Sequence, residues 1–151
     1  MILVAEKPLP AQRLLATFED EVAGAGAIAS FVGKVRDRAD GEGVTGLTLE
    51  HHPILTHRSV DAIAEAAQAR WSLLGCLIAH RVGHVRAGEA IVLVAGASIH
   101  RREAFAAVDF MMDHLKSKAY FWKKEHRASG THWIEPRPSD AQDLRRWTQQ
   151  D

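Results

Sequence analysis

Apolar residues in this chain recur with two different periods, and the alternation between those periods predicts its elements. Ile2–Ala5 reads as a short strand closed by Pro8 and Pro10. From Ala11 to Val22, Leu14, Leu15, Phe18 and Val22 recur at the spacing of an amphipathic helix, which Gly24 and Gly26 then end. Ala27–Val35 (AIASFVGKV) and Thr45–His51 fit strands. The polar, glycine-bearing stretch RDRADGEGV between them is expected to be a mobile loop. A second helix is expected over Thr56–Trp71, with Val60, Ile63, Ala64, Ala67 and Trp71 on one face. Strands near Cys76–Val82 and Ala90–Ala97 follow, joined through Val85–Glu89. A third helix is expected to begin after Ser98, a good N-cap type, with Ala104, Phe105, Val108, Met111, Met112 and Leu115 as its apolar stripe. Beyond it, FWKKEH and THWIE flank Arg127–Gly130 as a hairpin.

Paired strands separated by single helices predict an α+β fold with a mainly antiparallel sheet and three principal helices, not a doubly wound nucleotide fold. The 151 residues suit one domain over 1–151. A composition 46% hydrophobic and 25% charged is that of a folded globular chain. One cysteine excludes an intrachain disulfide and a cysteine-rich metal site; Cys76, in the apolar run GCLIAH, reads as a buried, inert thiol. No apolar run approaches bilayer length, and MILVAEKPLP lacks a basic region followed by a long apolar core. A cytoplasmic protein is therefore expected, with no metal and no cofactor.

Charge enters the picture through its distribution. Lys plus Arg and Asp plus Glu both total 19, so bulk attraction to polyanions is not indicated. Yet four of the six lysines (Lys116, Lys118, Lys123, Lys124) fall within nine residues, interleaved with Tyr120-Phe121-Trp122. Clustered, partly desolvated ammonium groups suit anion binding or a lysine poised for proton transfer. They equally suit a solvated basic edge, an anion-binding module without catalysis, or a nucleic-acid binder stacking bases on the aromatics. His100 and Arg101 in the first turn of the third helix oppose its dipole, so that turn reads as an anion seat. Arg36 closes Phe31-Val32-Gly33-Lys34-Val35-Arg36 where a strand meets the polar loop, a sensible place to grip phosphate or carboxylate. His51, His52, His57, His80 and His84 lack metal-ligand spacing and read as structural or surface residues. Met111-Met112 reads as core filling, with Met112 able to reach a pocket beside Lys116.

Several of these pieces occur in one characteristic order. Phe31-x-Gly33-Lys34-Val35-Arg36 is followed by Leu47-Thr48-Leu49-Glu50-His51, then His80-Arg81-x-Gly83 and Gly88-Glu89. Ser98-x-His100-Arg101-x-x-Ala104-Phe105 comes next, then Leu115-Lys116 and Trp122-Lys123-Lys124-Glu125, and lastly Trp133-Ile134-Glu135. From about Val4 to Trp147 the series resembles the MoaE family, the catalytic large subunits of molybdopterin synthase.

The resemblance implies an α/β-hammerhead-like α+β fold and a sulfurtransferase of molybdenum cofactor biosynthesis. Sulfur would pass from the C-terminal Gly-Gly thiocarboxylate of a small ubiquitin-like carrier subunit to cyclic pyranopterin monophosphate (precursor Z). The large subunit would form a homodimer at the core of a heterotetramer, with no nucleic-acid or membrane partner. By position, Lys116 and Lys123 match the two catalytic pocket lysines. Arg36, His100 and Arg101 match substrate-binding positions, and Lys34, Val35, Lys124 and Glu125 lie in the matching binding segments. Arg137 matches an arginine expected to reach the neighbouring protomer's pocket. Tyr120 departs from the family, which commonly has proline there, and so removes one constraint on the helix exit.

Overall fold

The computed structural model describes residues 1–148. Its elements run β1 (Ile2–Ala5), α1 (Ala11–Glu21), β2 (Ala27–Lys34), β3 (Arg38–Ala39), β4 (Glu42–His51) and α2 (Pro53–Trp71). They continue with β5 (Gly75–Arg81), β6 (Gly83–Arg86), β7 (Ala90–Ser98), α3 (Arg101–Ser117), β8 (Phe121–Arg127), β9 (Gly130–Ile134) and α4 (Pro138–Arg145). The fold is α+β with mainly antiparallel pairing; β1 against β5 is the parallel exception.

The first sheet has the order β1-β5-β7-β2, and helices cover both of its faces. Because successive strand side chains point to opposite faces, β5 and β7 divide their apolar residues between two cores. Leu77, Ala79, Leu93, Ala95 and Ala97 pack with Phe18 and Val22 from the α1 side. Cys76, Ile78, Val92 and Val94 pack with Val60 and Ile63 of α2 and with Ala104, Ala107 and Met111 of α3. Burial on both faces is why these strands read as unbroken apolar runs rather than alternating ones. The second sheet has the order β3-β4-β8-β9, with β6 also pairing β4. A small satellite core of Val35, Val44, Leu49 and Val85 lies in this part of the molecule.

The structure corrects several local expectations. The stretch expected to be a mobile loop is instead the β3–β4 hairpin. Asp40 and Gly41 at its tip both take positive φ (50° and 84°), the two-residue combination that matches strand twist. The Arg127 guanidinium donates to Asp40 Oδ2 at 2.8 Å, and Ser129 Oγ donates to Glu42 Oε2 at 2.8 Å, so the hairpin is tied to the β8–β9 end. The second helix starts at Pro53, three residues earlier than its apolar stripe suggests. His52 is its N-cap, and its ring accepts from the Leu55 amide at 3.4 Å. The N-cap of the third helix is His100; Ser98 acts two residues upstream, its Oγ accepting from the His100 amide at 3.2 Å. Phe105, expected in the apolar stripe of that helix, is 66% exposed.

The helix α4 was not expected. None of its own residues is buried, so it carries no apolar stripe to read. What holds it is Trp147 just beyond it, which packs edge-on against Trp71 and Phe110 at 5.7 and 5.4 Å. The Trp147 indole donates to Asp113 Oδ2 at 2.7 Å, and Arg70 donates to the Trp147 carbonyl at 3.0 Å.

Candidate active site

A cleft of about 200 Å³ opens where the C-terminal end of α3 meets β2, β5, β7 and β8. Lys116 enters from the last turn of α3, Lys123 from β8 and Lys34 from the end of β2. Phe31, Ile91, Val92, Met112 and Leu115 supply apolar wall, and His80 reaches it from β5. Three of the chain's scarce lysines thus meet in one partly apolar hollow. A wider hollow of about 390 Å³ runs along the α3–β8 connector, lined by Ser117–Trp122; it contains Lys118 but neither Lys116 nor Lys123.

Strand alternation on β8 decides which lysine faces inward. Phe121 and Lys123 project toward the cleft side, where Phe121 stacks on His80 at 4.1 Å between ring centroids. Trp122 and Lys124 project the other way. The Lys124 ammonium pairs with the Glu50 carboxylate and lies 4.4 Å from the Trp133 ring centroid. The aromatic block Tyr120-Phe121-Trp122 is therefore split, with Tyr120 and Trp122 exposed and Phe121 turned in. It forms no continuous stacking platform.

Burial pushes the Lys123 pKa below the usual lysine range. The nearby Lys116 charge lowers it further, while Asp140 opposes the shift. Lys116 is half exposed, with its Nζ 3.9 Å from Asp140 Oδ1. Asp140 sits in the first turn of α4, and its Oδ2 accepts from the Arg137 amide at 2.9 Å. Arg137 and Asp140 are thereby brought to the exit of α3, where Ser117 Oγ also donates to the Asp140 carbonyl at 3.3 Å. The helix exit needs no proline at position 120. The Tyr120 carbonyl accepts from the fully buried Thr56 hydroxyl at 2.9 Å, and the Lys118 amide donates to the His114 carbonyl at 2.7 Å.

The other residues singled out in the sequence fall in three places. Arg36 is exposed two residues beyond Lys34, and it forms no ion pair among the described residues. Val35 is 3% exposed within the satellite core, and its amide and carbonyl bond to Glu89 and Gly88; it shapes the strand end rather than facing the cleft. Glu125 is buried, its carboxylate accepting from Arg127 Nε at 2.5 Å. His100 and Arg101 are exposed at the opposite end of α3. Fifteen helical residues separate Arg101 from Lys116, roughly 22 Å along the axis. Within one chain these two basic groups do not meet.

Sequence reasoning discounted His80 and did not weigh Asp140. His80 was findable: it stands at even spacing from Cys76 and Ile78, which face the α2–α3 core, so the strand period aims it at the same side. Asp140 had no comparable signal, because its role depends on where α4 docks.

Comparison with known proteins identifies relatives of the whole chain. The family model described as MoaE protein matches residues 4–118. Among relatives, a molybdopterin synthase catalytic subunit of Ralstonia nicotianae is 52% identical over 122 residues, 81% of this chain and 69% of that protein. The Cereibacter sphaeroides protein of the same name is 44% identical over 146 residues, 97% of this chain and 99% of its own, a span that includes the β8 lysines. The solved structure of the molybdopterin biosynthesis MoaE protein from Burkholderia ambifaria superposes with a TM-score of 0.83 at 36% identity, covering 98% of this chain and 97% of that one. With a lysine-lined cleft on the same framework and a family match spanning more than half its length, the chain belongs to the MoaE family.

Proposed function

We propose that the chain is the catalytic subunit of a molybdopterin synthase acting in the cytoplasm. In this reading it takes sulfur from the C-terminal thiocarboxylate of a small ubiquitin-like carrier and installs it on cyclic pyranopterin monophosphate to build the dithiolene. The observation that carries the reading is the meeting of Lys116, Lys123 and Lys34 in one cleft of a protein with no net charge. Such a cleft suits a phosphorylated ring together with an anionic peptide tail.

The chemistry asks for what those lysines offer. The thiocarboxylate sulfur attacks an oxygen-bearing ring carbon of the substrate, the pair of the carbon–oxygen bond that breaks passing to that oxygen as the carbon–sulfur bond forms, and water then cleaves the acyl–sulfur bond. That step releases the carrier as a carboxylate and leaves sulfur on the pterin. Negative charge develops on oxygen in both steps, where an ammonium group held in a low-dielectric wall stabilises it. Lys116, with its charged end at the mouth of the cleft, is assigned to the acyl carbon. Lys123, whose proton is held less tightly because of burial, is assigned to the pterin and to proton transfer.

His100 and Arg101 serve this reaction from a second copy of the chain. Their distance from Lys116 along α3 rules out a shared site in one protomer. Exposed Ile99 (56%) and Phe105 (66%) flank them, an apolar surface suited to a homodimer contact. Arg36, exposed two residues beyond Lys34, extends the basic groups of the cleft, and exposed Arg137 is assigned to the pocket of the neighbouring protomer.

Reconstitution with a thiocarboxylated carrier and precursor Z tests the reading through formation of the dithiolene. Lys116→Ala should abolish product and Arg101→Ala should weaken precursor binding. Mixed dimers of Lys116→Ala and Arg101→Ala chains should regain activity, because one of their two sites is then intact. Failure of the mixture to recover would show that no site draws Lys116 from one chain and Arg101 from the other.

A further inference from the structure

His80 differs from every other polar group in the cleft wall. Lys34, Lys116 and Lys123 can only donate hydrogen bonds when charged. The His80 ring is 6% exposed and held from two directions. Its Nδ1 lies 2.8 Å from the Arg81 carbonyl oxygen, which cannot donate, so the hydrogen is on Nδ1. Phe121 stacks on the ring with an interplanar angle of 20°. Those contacts fix both the tautomer and the ring plane, and they leave Nε2 as a bare acceptor. Nε2 makes no hydrogen bond among the described residues, and none joins it to Lys123. Burial, reinforced by the Lys123 charge, lowers the His80 pKa to about 4 despite the opposing bond to Arg81, so the ring stays neutral at physiological pH.

An ionised carboxylate or phosphodiester oxygen has nothing to offer this nitrogen, because both would be acceptors. The lysines serve the anionic end of a ligand; His80 requires a donor. The remaining wall, Phe31, Ile91, Val92, Met112 and Leu115, is apolar and suits the faces and edges of a flat heterocycle. A pterin carries N–H donors on its fused rings. We propose that His80 is a specificity-determining residue, accepting at Nε2 a hydrogen bond from an N–H or O–H of the substrate's fused ring while other basic groups of the site hold its anionic end. The assignment rests on the synthase reading for the identity of the ring.

The test compares binding of cyclic pyranopterin monophosphate and of sulfate, an anion with no O–H donor, to the full-length chain by calorimetry. His80→Phe keeps an aromatic ring against Phe121 but removes the acceptor. It should weaken binding of the pterin roughly tenfold while leaving sulfate binding unchanged. His80→Gln, which restores an acceptor at similar reach, should recover most of the loss. Unchanged pterin affinity in His80→Phe overturns the assignment. So does an equal loss of pterin and sulfate, which would mean that His80 serves Lys123 or the fold instead.

A second measurement needs no variant. In ¹⁵N-histidine-labelled wild type, the His80 Nε2 resonance should move upfield on adding the pterin and not on adding sulfate; a stationary resonance overturns the proposal. If wild type binds the pterin with this shift but forms no dithiolene with the thiocarboxylated carrier, the synthase reading falls and the His80 assignment stands. If wild type turns over and His80→Phe binds pterin equally well, the assignment alone falls.

Discussion

Lys116 and Lys123 reach one cleft from different elements, and the charge on Lys116 adds to burial in lowering the Lys123 pKa. The carboxylate of Asp140, 3.9 Å from Lys116, works in the opposite direction on Lys123. The proton affinity of Lys123 is therefore set from three sides: the apolar wall, the second lysine and the first turn of α4.

That arrangement predicts opposite shifts from two substitutions. Lys116→Gln should move the Lys123 pKa upward, but only part of the way, because burial is the larger cause and remains. Asp140→Asn should move it further down. The pH dependence of Lys123 resonances after reductive ¹³C-methylation checks both signs. Shifts in the same direction would show that the two groups do not act on Lys123 through charge.

Stability should carry the signature of His80. Its folded pKa of about 4 lies below the ordinary 6.5, so between those values the unfolded chain binds the proton and the folded chain does not. Stability is therefore expected to fall as pH drops from about 6.5 toward about 4, by on the order of 3 kcal/mol from this group. Urea melts across that window should show a shallower fall for His80→Phe than for wild type. Parallel curves would mean that the ring is not buried in its neutral form.

Gly33 makes the cleft floor possible. A Cβ built there would stand 2.7 Å from Val92 Cγ1 and 3.2 Å from Phe31 Cε1, and both neighbours line the cleft. Gly33→Ala is expected to cost about 1–3 kcal/mol of stability as overpacking. Precursor affinity should drop as Phe31 is displaced into the hollow. Thermal melts and calorimetry on the variant check the two effects separately.

The position of α4 depends on one aromatic anchor. Trp147 is 8% exposed and packs against Trp71 and Phe110. Trp147→Ala should cost about 3 kcal/mol and raise hydrogen exchange over 138–145 toward that of exposed chain. Protection that survives there would show that Asp113 and Ser117 hold α4 without the indole.

Much of the framework was legible because the core elements carry strong periodic signals. The stripe Val60, Ile63, Ala64 and Ala67 marks α2 and is buried as read. The apolar runs of β5 and β7 mark strands covered on both faces. Cys76 is buried, and burial raises its thiol pKa, in keeping with an inert side chain. Met112 does reach the cleft beside Lys116. The order of short motifs across the chain also sufficed to point to the MoaE family. Phe105 misled because a helical stripe records only that a face is apolar, not what covers it.

Local sequence determined the core helices and strands and the basic cluster, since these depend on neighbours within a few residues, but not α4, which a distant aromatic contact holds. Tertiary structure alone decided that Lys123 turns in while Lys124 pairs with Glu50, because that follows from the register of β8 against β4. It also decided that Asp140 faces Lys116. Each of these relations joins groups far apart along the chain, and periodicity within an element carries no information about which elements meet.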